Sequence, residues 1–229
     1  MLRIMGLDLG QAADYTAVAI LDCRGTPCEI GVPVPHYSRL AGQYFDVVEK
    51  HAYEGRPVNY DVRHLERFPL QTPYPAIVDR IAELARMAEC RLVVDATGVG
   101  APVVDTLRQR GLNPMPILIT GGDSATFDAS TGAVHVPKRD LVGVLQMALQ
   151  GGRLKVAADL AEAETLVREL LAFKVKITAA ANDVYGAWRE GAHDDLVLAV
   201  ALAAWAADAH YAPPTVQTVT DYAALAHGR

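Results

Sequence analysis

Leu2-Arg3-Ile4-Met5-Gly6-Leu7-Asp8-Leu9-Gly10 is the stretch whose reading decides the fold. It is a short apolar run with one carboxylate near its end. A second run, Arg91-Leu92-Val93-Val94-Asp95, stops in the same way, just before Ala96-Thr97-Gly98-Val99-Gly100. Runs of this length, rich in branched residues and closed by turn formers, read as strands. An unbroken apolar run such as 91–95 suits a central parallel strand covered on both faces. A third acidic site, His193-Asp194-Asp195, opens the apolar stretch that continues Leu196-Val197-Leu198. A carboxylate at the end of a buried strand is costly unless something compensates it.

Outward from these runs, residues 2–9 and 16–23 read as two strands joined by a polar turn. Residues 61–68 give a third strand. From Tyr74 the period changes, and Ile77, Ile81, Leu84 and Met87 mark a helix. A helix is expected over 102–110, with Pro102 in its first turn and Gly111 closing it. Strands follow at 115–119 and 134–136. Helices follow at 138–149, at 160–172 (Val167, Leu170 and Leu171 on one face) and at 194–209. Residues 174–178 and 183–187 could pair as a hairpin. Residues 24–60 carry Pro27, Pro33, Pro35 and Pro57 and read as an irregular insertion. The expected organisation is one domain over 1–212 with that insertion, then a loose tail over 213–229 after Pro213-Pro214. The fold class is α/β: a central mixed sheet of five or more strands, flanked by helices on both faces.

Composition narrows the function classes. The chain has 229 residues, 51% hydrophobic, enough for one well-filled domain. No apolar run reaches 18 residues without a charge, so no membrane span is expected, and the N-terminus lacks a secretory pattern. Three cysteines without a CxxC pair argue against a zinc ribbon or disulfide framework and fit a reducing cytoplasm. The net charge of −6 disfavours a broad nucleic-acid-binding surface but not a nuclease, because bound cations invert the local sign.

In an open α/β sheet, ligand sites gather at the carboxyl ends of strands. Asp8, Asp95 and one or both of Asp194 and Asp195 are therefore candidates for one pocket. Crowded carboxylates repel, and two Mg²⁺ or Mn²⁺ ions would relieve them, these being the hard cations that clamp a phosphate for in-line displacement. Each acid also has an ordinary reading. Asp8 could cap the turn at Gly10, Asp95 could form the turn after its strand, and Asp194 could be a helix N-cap. Asp14 is either an outer ligand or a solvated turn residue. His193 is either a partner that orients Asp194 or a surface histidine. Lys138, Arg139 and Arg189 are either phosphate contacts or solvated cations.

The ordered set of motifs resembles the nuclease domain of the large terminase subunit of tailed bacteriophages, within the RNase H-like, Holliday-resolvase-like superfamily. The matching pieces are Gly6-Leu7-Asp8-Leu9-Gly10 with Asp14-Tyr15-Thr16-Ala17, Arg63-His64-Leu65-Glu66-Arg67-Phe68, Val94-Asp95-Ala96-Thr97-Gly98-Val99-Gly100, His135-Val136-Pro137-Lys138-Arg139-Asp140-Leu141, and His193 to Ala199. The resemblance implies an RNase H-like fold and two-metal cleavage of double-stranded DNA in the host cytoplasm. Asp8 would bridge the ions, with Asp95 and Asp194 or Asp195 completing their shells. It also implies an ATPase motor, a small terminase subunit and a portal as partners. No GxxxxGK[ST] phosphate loop occurs here, so the motor is expected elsewhere. Competing readings are a Holliday-junction resolvase, an actin-like kinase or ATPase, and a packaging adaptor without cleavage.

Overall fold

Alternation along the first strand sets the layers of the molecule. A computed structural model describes residues 1–10, 14–38, 43–98, 100–172 and 194–211, and of residues 26–56 it describes the backbone alone. The expected hairpin at 174–187, the tail 213–229, Arg189 and His193 lie outside the described residues. The strands are β1 (Leu2–Asp8), β2 (Ala17–Ser38), β3 (Gln43–Arg67), β4 (Arg91–Asp95), β5 (Met115–Thr120), β6 (Thr126–Asp128), β7 (Ala133–Pro137) and β8 (Leu154–Val156). The helices are α1 (Tyr74–Ala88), α2 (Gly100–Gln109), α3 (Lys138–Gln150), α4 (Ala163–Ala172) and α5 (Asp195–Tyr211). The strands form one sheet in the order β6-β7-β5-β4-β1-β2-β3-β8. β1 is antiparallel to β2 and parallel to β4, and β4, β5 and β7 continue parallel. The sheet is therefore mixed, as the order of elements implies. No described helix is long and apolar enough to cross a membrane.

Met5 and Leu7 of β1, Val18 and Ile20 of β2, and Leu92 and Val94 of β4 share one core with Ile77, Val78, Ile81 and Leu84 of α1 and Val103, Val104 and Leu107 of α2. Because side chains alternate along a strand, Gly6, Asp8, Val93 and Asp95 face the other side. α5 lies on that side. Its residues are buried almost all round, from Asp195 to Ala207, as expected of a helix with no polar face. Contact is closest at Gly6, where a Cβ would fall on the carbonyl oxygen of Ala199 and 3.1 Å from the nitrogen of Ala203. At the end of α2, Gly111 adopts φ +78° and the Leu112 N–H reaches back to the Leu107 carbonyl at 3.1 Å. This is the left-handed closure expected from the glycine.

Two expectations are corrected. The described residues of 24–60 are strand rather than irregular, since β2 runs to Ser38 and β3 starts at Gln43. Proline removes a donor, but prolines two apart, such as Pro33 and Pro35, remove it on the same side of a strand. The intervening Val32 and Val34 and the following Tyr44, Phe45, Val47 and Val48 are strong strand formers. By contact density, the described residues of Gly25–Val58 group apart from those of Met1–Arg24 and Asn59–Ala207. The buried face of α4 is also different. Ala163, Leu166 and Glu169 are buried, while Val167 and Leu171 are 47% and 77% exposed. A glutamate takes the inner position because tertiary partners receive it, as the site geometry makes plain.

Gly6→Ala should destabilise the protein by at least about 1–3 kcal/mol, the usual cost of overpacking a rigid contact. A urea midpoint equal to that of the unmodified chain would show that α5 does not lie on β1 at this point.

Candidate active site

The parallel register pairs Leu7 with Val94, so Asp8 and Asp95 come one step later on neighbouring strands and on the same face. β5 and β7 extend the same carboxyl edge, and Lys138 follows directly on Pro137 at the start of α3. Asp194 and Asp195 arrive at this region on the first turn of α5.

The local hydrogen bonds decide between the readings left open by the sequence. At the β1 exit, the Gly10 N–H donates to Thr16 Oγ1 at 3.1 Å, and the Tyr74 hydroxyl donates to the Gly10 carbonyl at 3.1 Å. Thr16 thus receives the Gly10 donor that Asp8 could have capped. Asp95 does hold a turn, because its Oδ1 accepts the Thr97 N–H at 2.8 Å. Thr97 Oγ1 in turn accepts the Ile119 N–H at 3.0 Å, which fixes this loop against β5. One accepted bond uses only part of a carboxylate's capacity, so the turn and the site are compatible roles. Asp194 stands at the N-cap position, with its carbonyl accepting the Leu198 N–H at 2.9 Å. The side-chain acceptor for this helix start is Glu169, whose Oε2 takes the Leu196 and Val197 N–H groups at 3.0 and 3.1 Å.

Charge is concentrated here under poor solvation. Asp8 is 7% exposed. Burial pushes its pKa well above the ordinary carboxylate range, and Asp95, Asp195, Asp194 and Asp14 push it further. Burial also raises Asp95, against the Thr97 hydrogen bonds and the Lys138 charge. Burial lowers Lys138 to about 8, against the pull of Asp194, Asp8 and Asp95. Glu169 is raised to about 7, first by burial, while the Val197 N–H pulls it down and Asp195 pushes it up.

Lys138, for which the sequence left open a phosphate contact or a solvated cation, is half-buried, and the charges of Asp194, Asp8 and Asp95 act on it. Arg139 is engaged by Asp123, through Oδ1 at 2.8 Å and through the carbonyl, and Asp123 is itself almost fully exposed. Asp14 is exposed in the turn after β1, and its charge still reaches Asp8. Two contributors were not legible beforehand as site residues, Glu169 and Arg67. The only sequence signal for Glu169 is its i,i+3 spacing from Ala163 and Leu166, which is also the spacing of an ordinary exposed glutamate.

The donor set suits a hard divalent cation, being carboxylate oxygens converging on one buried acid. Among the described residues, no three His, Cys, Asp or Glu close into a metal-holding group. The two facts agree physically. Coulomb repulsion extends over many ångströms, whereas ligation requires oxygens about 2.0–2.6 Å from an ion. The fold draws the acids to one edge without closing them round a point.

No protein-family model and no curated protein matches the chain. Solved structures do match. The large terminase nuclease from thermophilic phage G20c is 23% identical with a TM-score of 0.55, over 88% of this chain and 80% of that chain. Its forms with bound magnesium and with bound cobalt match equally, over 89% of this chain and 80% of that one. The human cytomegalovirus terminase nuclease domain, Mn soaked, is 16% identical with a TM-score of 0.50, over 91% and 85% of the two chains. The chain therefore has the RNase H-like α/β fold of these nuclease domains, which is the fold class expected from its motifs.

The raised acids make a prediction for the metal-free protein. A carboxyl whose folded pKa exceeds its unfolded value binds an extra proton in the folded state, so stability falls as pH rises between the two. For Glu169 that window runs from 4.5 to about 7. Lys138, lowered from 10.5 to about 8, works in the opposite sense, and its contribution improves as pH rises across that window. Metal-free stability should thus decline from mildly acidic to neutral pH, and Asp8→Asn should raise the neutral-pH melting temperature. Each kcal/mol of relieved repulsion corresponds to about 2–4 °C for a chain of this size. A thermal melt in chelator with Asp8→Asn at or below the unmodified protein would contradict the crowding.

Proposed function

We propose that this chain is a divalent-metal-dependent endonuclease that cuts double-stranded DNA, acting as the nuclease component of a terminase during phage genome packaging. The observation that carries this reading is Asp8, buried at the end of β1 with Asp95, Asp194 and Asp195 raising its pKa. An acid placed there without a compensating cation is a standing cost, and such costs persist where chemistry uses them. The magnesium, cobalt and manganese named for the G20c and cytomegalovirus structures support the choice of divalent ions.

Asp8, with Asp95 beside it on β4 and Asp194 and Asp195 at the start of α5, is the acid that would hold the ions. When bound, two Mg²⁺ or Mn²⁺ ions would activate the attacking water and neutralise charge on the leaving 3′ oxygen. The protein's own part is to hold the carboxylates on rigid strand ends and to keep bulk water away from Asp8. Lys138, whose charge interacts with Asp194, Asp8 and Asp95, would pair with a non-bridging oxygen of the scissile phosphate. Arg139 can exchange its exposed pairing with Asp123 for a DNA phosphate at little cost, because surface ion pairs are weak. Arg189 and His193 remain candidates for DNA contact and for orienting Asp194. The motor, the small terminase subunit and the portal are the partners this role requires.

Supercoiled plasmid incubated with Mn²⁺ should be nicked and linearised. Asp8→Ala and Asp95→Ala should each lower the rate by about 100-fold or more, the scale on which loss of transition-state charge stabilisation acts. Equal cleavage by all three proteins would exclude the assignment. Arg139→Ala should reduce the slope of log affinity against log salt by about 1, as expected for loss of one phosphate contact. An unchanged slope would remove Arg139 from the DNA interface.

A further inference from the structure

A helix leaves its first N–H groups without intrahelical partners, and the N-cap side chain ordinarily accepts from the second and third of them. In α5 the N-cap residue is Asp194, a good capping type, and those two N–H groups belong to Leu196 and Val197. Both are taken by Glu169 Oε2 from α4, at 3.0 and 3.1 Å. Glu169 is 6% exposed, and its other oxygen is buried without a hydrogen bond. Arg67 Nη1 lies 3.8 Å from that oxygen, and the same guanidinium sits 4.4 Å from the centre of the Tyr15 ring. Tyr15 belongs to the segment that follows Asp8. One buried carboxylate thus connects the β1 exit, the end of β3 and the start of α5.

An aspartate at an N-cap normally folds back onto its own helix. We infer that Glu169 is a positioning residue: by capping α5 from outside, it relieves Asp194 of that duty and turns the Asp194 and Asp195 carboxylates toward Asp8. Arg67 fixes the Glu169 side chain while it does so. The inference rests on the metal-dependent nuclease reading and deepens it. Residues that orient ligands without touching the ion commonly change metal affinity or activity by about 10–100-fold when altered.

Two readouts test it on the full chain, Mn²⁺ binding by calorimetry and the Mn²⁺ dependence of plasmid nicking. Glu169→Ala should weaken Mn²⁺ binding by about 10–100-fold and raise the half-saturating Mn²⁺ concentration more than it lowers the saturated rate. Glu169→Gln keeps an oxygen that can accept both N–H groups and should recover most of the affinity. Glu169→Asp keeps the charge but withdraws it by one methylene; should the alanine variant not fold, Glu169→Asp replaces it and should show the same direction of loss in Mn²⁺ affinity. The double variant Glu169→Ala/Asp194→Asn should lose less Mn²⁺ affinity than the two single losses combined, since part of the lost cap acts through Asp194. Unchanged affinity in Glu169→Ala, no recovery in Glu169→Gln, or losses that add in the double variant would each overturn the positioning role. An unmodified chain that neither binds Mn²⁺ nor nicks plasmid would instead overturn the nuclease reading on which this role rests.

Discussion

Like charge held out of water at the end of β1 is the constraint on which the rest of the structure depends. Asp8 faces away from the α1–α2 core because Met5 and Leu7 face into it, and it is covered because α5 lies on its side of the sheet. Every other charged group nearby is placed in relation to it. Asp95 follows from the parallel register, Asp194 and Asp195 from the start of α5, and Lys138 from the start of α3. Burial penalises the charged form, so Asp8 and Asp95 are pushed toward protonation and Lys138 toward neutrality. A site of this kind is stable in the metal-free state only because the sheet and the helix hold it in place.

The rigidity has identifiable sources. Gly6 lets α5 approach β1 at backbone distance, and a cap supplied by Glu169 of α4 secures the first turn of that helix. The Asp95 loop is pinned by Thr97 to β5, and the Asp8 loop by Thr16 and Tyr74. These small polar groups complete donors and acceptors that would otherwise be left unpaired near the core, and so they fix where the acids stand. The link from sequence to function runs through such bonds: short residues hold turns, the turns hold strand ends, and the strand ends hold carboxylates.

Much of this was legible from the chain alone. The runs 2–9 and 91–95 became β1 and β4, and the three- and four-residue spacing from Tyr74 became α1. The mixed sheet with helices followed from the order of elements. The 24–60 segment was misread because its prolines were weighed as breakers one by one, while their two-residue spacing is compatible with a strand. The inner face of α4 was misread because hydrophobicity was used to find it, and the residue that turns inward is Glu169. The three-residue strands β6 and β8 are too short to carry a periodic signal.

By itself the sequence determined which residues end strands and where an apolar helix follows Asp194-Asp195. Periodicity carries that information, because alternation and helical spacing are local properties of the backbone. Only the tertiary structure decided that Lys138 is half-buried within reach of the acids' charge, that Thr16 rather than Asp8 receives the Gly10 N–H, and that Glu169 from α4 accepts the Leu196 and Val197 N–H groups of α5. Those choices are made between groups far apart in the chain that compete for the same donors. Which group wins depends on where packing leaves each one, and no local pattern records that.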